Sequence, residues 1–143
     1  MIVYADTSAL VKLFVTEEGS EAARNMLRQV RAMGTGLLTR AELGAALARG
    51  ARRGLLLEEE ALEARRRMEA AWPTWIHIAV DEDLVFRAEM LAWEYTLRGY
   101  DAVHLAAALV WQERIGHRVV LATFDRELWE ATWQAGLAAW PEE

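Results

Sequence analysis

The 143-residue sequence contains no cysteine, two prolines and a single lysine, Lys12. The lack of cysteine excludes disulfides and thiolate metal ligands, and it favours a cytosolic location. No run of eighteen or more apolar residues occurs, although 54% of the residues are hydrophobic. No segment is therefore predicted to span a membrane. The N-terminus also lacks a basic region followed by a long apolar run, so no secretory signal is expected.

The formal net charge of -6 argues against non-specific nucleic-acid binding by charge alone. It does not exclude an enzyme that acts on nucleic acid, because carboxylates clustered around a metal ion also make a protein acidic. Aspartate is scarce and disfavoured inside helices, so each one marks a place where it is tolerated or required. The five are Asp6, Asp81, Asp83, Asp101 and Asp125.

Apolar segments that predict strands alternate with amphipathic segments that predict helices. The predicted strands are residues 2–4, 37–38, 76–80, 119–122 and 137–140, with Gly34-Thr35-Gly36 as a break before the second. The predicted helices are residues 8–15, 19–33, 39–53, 57–71, 81–97, 100–115 and 126–134. This alternation predicts one α/β domain over residues 1–143, an α/β/α sandwich around a mostly parallel sheet.

Four carboxylates fall at the junctions between predicted strands and helices. Asp6 and Asp125 follow strands, whereas Glu42 and Asp101 lie in first turns of helices. In a parallel sheet these junctions share one edge, where α/β proteins place their sites. Helix capping is the alternative explanation. Asp6 or Asp101 could cap the following helix, and Glu42 could form a capping box with Thr39.

Capping signals also occur outside this set. Ser8 is a suitable N-cap for the first helix, and Asp81 is predicted to cap the helix that follows it.

Four carboxylates gathered at one edge would repel one another unless a cation neutralised them. A site built only from oxygen ligands suits a hard ion, Mg²⁺ or Mn²⁺. Such an ion activates water and offsets charge on a phosphate, and phosphodiester hydrolysis requires both effects.

These junctions also carry a resemblance to a known family. The matching stretches begin at Tyr4 (YADTSALVKL), Thr39 (TRAEL, followed by Arg49), Tyr100 (YDAVHLAAA) and Ala122 (ATFDREL). In this order and spacing, the sequence resembles PIN-domain ribonucleases, and within them the VapC-type toxins of toxin–antitoxin pairs. The resemblance spans nearly the whole chain.

The resemblance implies an endoribonuclease that depends on Mg²⁺ or Mn²⁺, on a five-stranded parallel sheet, leaving 5′-phosphate and 3′-hydroxyl products. Asp6, Glu42, Asp101 and Asp125 match the family's acidic quartet. Thr7 or Ser8, together with Thr123, match the hydroxyls around it. Glu127 stands where many relatives have a further Asp or Asn. A homodimer and an antitoxin protein are the implied partners. Replacing Asp6 or Asp101 by Ala is expected to abolish cleavage and leave the fold intact.

Several other residues have two interpretations. His104, three residues after Asp101, is either structural or a contact to the metal shell or substrate. Arg49, with Arg40, is a candidate for binding RNA phosphates, or else part of a solvated face. The tryptophans on helices are expected in the core or an interface, whereas Trp72 and Trp75 could line a partner groove. Arg52 and Arg53, on or beside the helix that carries Arg49, have the same two interpretations as Arg49.

Two rival functions remain open from the sequence. A Mg²⁺-dependent phosphatase would usually have a second aspartate two residues after the first, which Asp6-Thr7-Ser8 lacks. A non-catalytic module that holds RNA or a partner protein would keep the acidic pocket without turnover.

Overall fold

The computed structural model describes residues 1–142. Its five strands form one sheet in the order β3-β2-β1-β4-β5, and every neighbouring pair is parallel. The strands are β1 (Ile2–Ala5), β2 (Ala32–Gly36), β3 (Ile76–Ile78), β4 (Val119–Ala122) and β5 (Ala138–Trp140). The strand order reverses at β1, where β2 lies on one side and β4 on the other. The crevice of the sheet is therefore expected at the carboxyl ends of β1 and β4.

Seven α-helices connect the strands within residues 1–142. They are α1 (Thr7–Phe14), α2 (Ser20–Leu27), α3 (Leu38–Arg52), α4 (Glu58–Ala71), α5 (Glu82–Tyr95), α6 (Gly99–Ile115) and α7 (Arg126–Gln134). Among these residues, no helix is long and apolar enough to cross a membrane.

The sheet separates two apolar cores, because successive strand residues point to opposite faces. On one face Tyr4 and Leu121 pack with α5, α6 and α7. On the other face Val3 and Ala122 pack with α1, α3 and α4. The predicted α/β/α sandwich with a five-stranded parallel sheet is thus confirmed.

The second strand lies earlier in the chain than the sequence predicts. The predicted helix over residues 19–33 ends at Leu27, and the predicted break at residues 34–36 lies inside β2, which replaces the strand expected at residues 37–38. The cause is packing. A Cβ atom on Gly34 would lie 2.8 Å from the Trp111 ring, and one on Gly36 would lie 3.0 Å from the Tyr4 hydroxyl. Glycine therefore makes room here for α6 and for Tyr4 rather than marking a loop.

Helix starts also differ from prediction. Helix α1 begins at Thr7 with Asp6 as its N-cap, so Ser8 is not the cap. Helix α3 begins at Leu38 without a side-chain cap, so the capping box of Thr39 and Glu42 does not form. The Thr39 hydroxyl instead lies 2.7 Å from the Thr35 hydroxyl. Asp81 caps α5 as predicted, by accepting a hydrogen bond from the Leu84 amide.

Candidate active site

Asp6 lies at the junction of β1 and α1, and only 3% of the residue is exposed. Its Oδ1 accepts hydrogen bonds from the Ala9 amide (3.0 Å) and the Ser8 hydroxyl (2.7 Å). Its Oδ2 accepts from the Thr123 hydroxyl at 2.6 Å. Burial raises the pKa of Asp6 above its ordinary value, although His104 and the two hydroxyls oppose the shift. The carboxylate is thus held by groups from the start of α1 and from the residue that follows β4.

The hydroxyls around Asp6 tie β1 to β4. Ser8 Oγ accepts the Phe124 amide at 2.8 Å, and Thr123 Oγ1 accepts the Asp125 amide at 3.0 Å. The two hydroxyl oxygens lie 3.2 Å apart. The predicted supporting residues Ser8 and Thr123 therefore surround Asp6 and also shape the turn that carries Asp125.

Asp101 and Asp125 share one arginine. Arg98 Nε donates to Asp101 Oδ2 (2.9 Å), and Arg98 Nη2 donates to Asp125 Oδ2 (2.7 Å). Burial raises the pKa of Asp101, the charges of Asp125 and Asp6 raise it further, and Arg98 opposes them. Asp125 is also the N-cap of α7, because its Oδ1 accepts the Leu128 amide. A positive charge therefore already stands between two of the predicted acidic residues.

Glu42 reaches the same edge from α3. Its Oε1 accepts hydrogen bonds from the Thr7 hydroxyl (2.9 Å) and from His104 Nε2 (2.7 Å). Burial alone would raise the pKa of Glu42, but the hydrogen bond and charge of His104, the Thr7 bond and the charge of Arg49 together lower it. The predicted candidate Arg49 thus acts on Glu42 through its charge.

His104 lies in the middle of these acids and is 2% exposed. Burial would lower its pKa, but the bond to Glu42 and the charges of Asp6, Glu42 and Asp101 raise it. Both ring nitrogens have partners, Tyr4 Oη at 2.7 Å and Glu42 Oε1 at 2.7 Å. This burial argues against a direct contact with substrate, so the structural interpretation of His104 is favoured.

The donor chemistry suits a hard divalent cation, because four carboxylates and nearby hydroxyls supply only oxygen ligands. The carboxylates also interact electrostatically, since the charges of Asp125 and Asp6 both raise the pKa of Asp101. In the present side-chain conformations, however, no group of three or more His, Asp or Glu residues within 1–142 is arranged so that it could hold a metal ion. An ion could be held only after side chains such as Arg98 had moved.

Two residues of this network were missed by the sequence reasoning. Arg98 precedes Asp101 by three residues, a spacing that places the two side chains on neighbouring positions of one helical turn. Tyr4 interrupts an aliphatic strand, and a buried tyrosine hydroxyl needs a hydrogen-bond partner. Both features can be read from the sequence, but neither indicates which distant residue the side chain contacts in the folded protein.

The other candidates lie further out. Arg40 stands over the Trp72 ring, with its guanidinium carbon 5.3 Å from the ring centroid. Trp75 is buried against Phe14. Trp111 is buried as expected, whereas Trp93 is 91% exposed, so the core is excluded for Trp93 and a place in an interface stays a prediction.

Comparison with known proteins identifies the family. The PIN domain family profile matches residues 3–133. Ribonuclease VapC45 of Mycobacterium tuberculosis (strain CDC 1551 / Oshkosh) is 36% identical over 143 residues, covering 99% of this chain and 96% of that protein. The chain therefore belongs to the PIN-domain family, and within it to the VapC type.

Solved structures share the fold at lower identity. The crystal structure of PAE2754 from Pyrobaculum aerophilum has a TM-score of 0.68 at 24% identity, covering 97% of this chain and 83% of that one. A toxin–antitoxin complex from Klebsiella pneumoniae has a TM-score of 0.64 at 23% identity, covering 86% of each chain. These likenesses show a shared fold.

Proposed function

We propose that the protein is an endoribonuclease that hydrolyses RNA phosphodiesters with Mg²⁺ or Mn²⁺, and that residues 1–143 act as one domain. The observation that carries the proposal is the convergence of Asp6, Glu42, Asp101 and Asp125 where β1 and β4 end. The name of the M. tuberculosis relative, a ribonuclease, supports the choice of RNA as substrate.

In this proposal Asp6, Asp101, Asp125 and Glu42 hold the ion. When bound, the ion lowers the pKa of water and offsets negative charge on the phosphate under attack. The surrounding hydroxyls of Ser8 and Thr123 fix Asp6, and the Thr7 hydroxyl fixes Glu42. These bonds limit the movement of the Asp6 and Glu42 carboxylates, and release of Arg98 would free Asp101 and Asp125 for the ion.

Arginines supply the contacts to RNA phosphates. Arg49 is the best candidate, because its charge already acts on Glu42. Arg40, in the first turn of α3, lies over the Trp72 ring and is the second candidate. Arginine suits this task, since its guanidinium donates two parallel hydrogen bonds to phosphate oxygens.

We further propose that the protein is the toxin of a toxin–antitoxin pair, works in the cytoplasm and forms a homodimer. The Klebsiella pneumoniae neighbour, a toxin–antitoxin complex, supports an antitoxin partner. An apolar face of α5 supports the dimer, because Phe86, Met90 and Trp93 follow one another at helical spacing and are exposed.

The test is cleavage of a panel of structured and single-stranded RNAs with Mg²⁺, with Mn²⁺ and with EDTA. Wild type should cut only with metal, and Asp6→Asn and Asp101→Asn should cut at least a hundredfold more slowly, as a rough estimate for the loss of one ligand charge. Cutting by both variants at the wild-type rate would contradict the site. Tight RNA binding by wild type in Mn²⁺ without any product would favour the binding-module alternative.

A further inference from the structure

A buried chain of hydrogen bonds leads from the sheet to Glu42. The Gly36 amide donates to Tyr4 Oη at 3.0 Å, Tyr4 Oη lies 2.7 Å from His104 Nδ1, and His104 Nε2 lies 2.7 Å from Glu42 Oε1. The Tyr4 side chain is fully buried and its ring meets His104 edge-on, with 5.8 Å between centroids. These three hydrogen bonds thus connect β2, β1, α6 and α3 in the interior.

The partners determine the direction of each bond. An ionised carboxylate only accepts hydrogen bonds, so His104 Nε2 carries the hydrogen in its bond to Glu42. Tyr4 Oη accepts from the Gly36 amide, which leaves its own hydrogen to be donated to Nδ1. The opposite neutral tautomer, protonated on Nδ1, would place the unprotonated Nε2 against the negative carboxylate, and neither atom could donate a hydrogen bond. A doubly protonated ring would still donate from Nε2, so the bond to Glu42 persists in both charge states.

Glu42 needs such support because glutamate has three rotatable side-chain bonds and stands half-buried on α3. Thr7 and His104 both donate to its Oε1. Among the described residues no hydrogen bond to Oε2 is present, so the supports fix the carboxylate while leaving one oxygen available.

We propose that His104, held by Tyr4, is a positioning residue that orients Glu42 for the divalent cation. His104 is neither a ligand nor a substrate contact in this role, and Tyr4 acts through it. The inference rests on the proposed function, because Glu42 must be part of the metal site for its orientation to matter. Outer groups that orient metal ligands commonly change metal affinity or activity by about 10–100-fold.

The first experiment needs no metal. Two-bond ¹H–¹⁵N NMR spectra of the metal-free protein report which histidine nitrogens carry hydrogen, and comparison with His104→Gln assigns His104 among His77, His104 and His117. The expected result is a protonated Nε2 in the wild type. In Tyr4→Phe Nε2 should stay protonated, because Glu42 still accepts its hydrogen, whereas the Nδ1 resonance should shift because Nδ1 has lost its donor. A bare Nε2 in the wild type would overturn the inference.

The second experiment measures Mn²⁺ affinity by electron paramagnetic resonance, without RNA. Tyr4→Phe and His104→Leu should weaken binding by about 10–100-fold. His104→Gln, which keeps a donor near the Nε2 position, should recover part of the loss, and Tyr95→Phe on α5 should change nothing. Tyr4→Phe should have no further effect in a His104→Leu background, since Tyr4 acts through that ring.

The outcomes separate this inference from the function beneath it. Wild type that neither binds Mn²⁺ nor cuts RNA would overturn the proposed function and, with it, the role given to His104. Wild type that binds Mn²⁺ while Tyr4→Phe and His104→Leu bind equally tightly would overturn only the positioning role. Equal loss in His104→Gln and His104→Leu, with Tyr4→Phe unaffected, would also overturn it, because that pattern reports packing alone.

Discussion

Replacing Asp6 by alanine and by asparagine should separate its structural role from its charge. Both variants remove a buried negative charge, whose pKa burial raises in the folded protein. Asparagine, however, is as good an N-cap as aspartate, and its carbonyl can still accept from the Ala9 amide and the Ser8 hydroxyl. Alanine keeps none of these bonds. The difference between the two variants therefore isolates the cap and the Ser8 contact.

The size of that difference follows from the hydrogen bonds that alanine cannot accept. Loss of the N-cap costs about 0.5–2 kcal/mol. The Thr123 hydroxyl loses the Oδ2 acceptor in both variants, because asparagine carries an amide nitrogen in that place, so this loss does not contribute to the difference. Asp6→Ala should therefore be less stable than Asp6→Asn by about 0.5–2 kcal/mol, the cost of the lost N-cap.

Urea denaturation followed by tryptophan fluorescence measures this difference in stability, and calorimetry should show a Tm for Asp6→Ala that is lower than that of Asp6→Asn by about 2–8 °C. RNA cleavage should be lost in both variants, since both lack the charge. Equal stability of the two variants would refute the reasoning, because it would mean that the cap contributes nothing. Asparagine is accordingly the variant to use when activity is the readout.

Three further predictions concern packing, charge and assembly. Gly34→Ala should lower the free energy of unfolding by about 1–3 kcal/mol, because its Cβ meets the Trp111 ring; Gly44→Ala on α3, where a Cβ meets nothing within 4 Å, should instead raise it by about 0.5–1 kcal/mol in the same denaturation assay. Arg98→Gln should bind Mn²⁺ more tightly than wild type by calorimetric titration, since the guanidinium now neutralises Asp101 and Asp125; weaker binding would mean that Arg98 supports the site. Trp93→Glu should shift the protein from dimer to monomer in light scattering, and a wild type that is itself monomeric would exclude the α5 face as a dimer surface.

Strong periodicity made the second half of the fold predictable. The strand at residues 119–122 and the helix at 126–134 have the predicted bounds, and α6 begins one residue earlier than predicted. The strand predicted over residues 76–80 is shorter, Ile76–Ile78, and that over 137–140 begins at Ala138. These elements bury aliphatic side chains at regular spacing, so local sequence alone carries their signal.

Predictions for the first half of the chain were wrong where tertiary contacts override local preference. Two glycines inside β2 look like a turn, but they accommodate Trp111 and Tyr4, which are distant in sequence. Thr39 and Glu42 have capping-box spacing, yet Thr39 pairs with Thr35 in β2 and Glu42 pairs with His104 in α6. A sequence pattern cannot rank a local partner against one that the fold brings in later.

The acidic residues show why capping and chemistry are not true alternatives. Asp6 and Asp125 do cap α1 and α7, and in each case Oδ1 accepts the helix amide. The remaining Oδ2 accepts from Thr123 in Asp6 and from Arg98 in Asp125. The helix thus fixes one oxygen of the carboxylate, which sets where the other one stands. Because both caps follow the two central parallel strands, the same geometry that begins each helix brings its carboxylate to the crevice. A capping aspartate after a central strand is therefore better evidence for a site than against one.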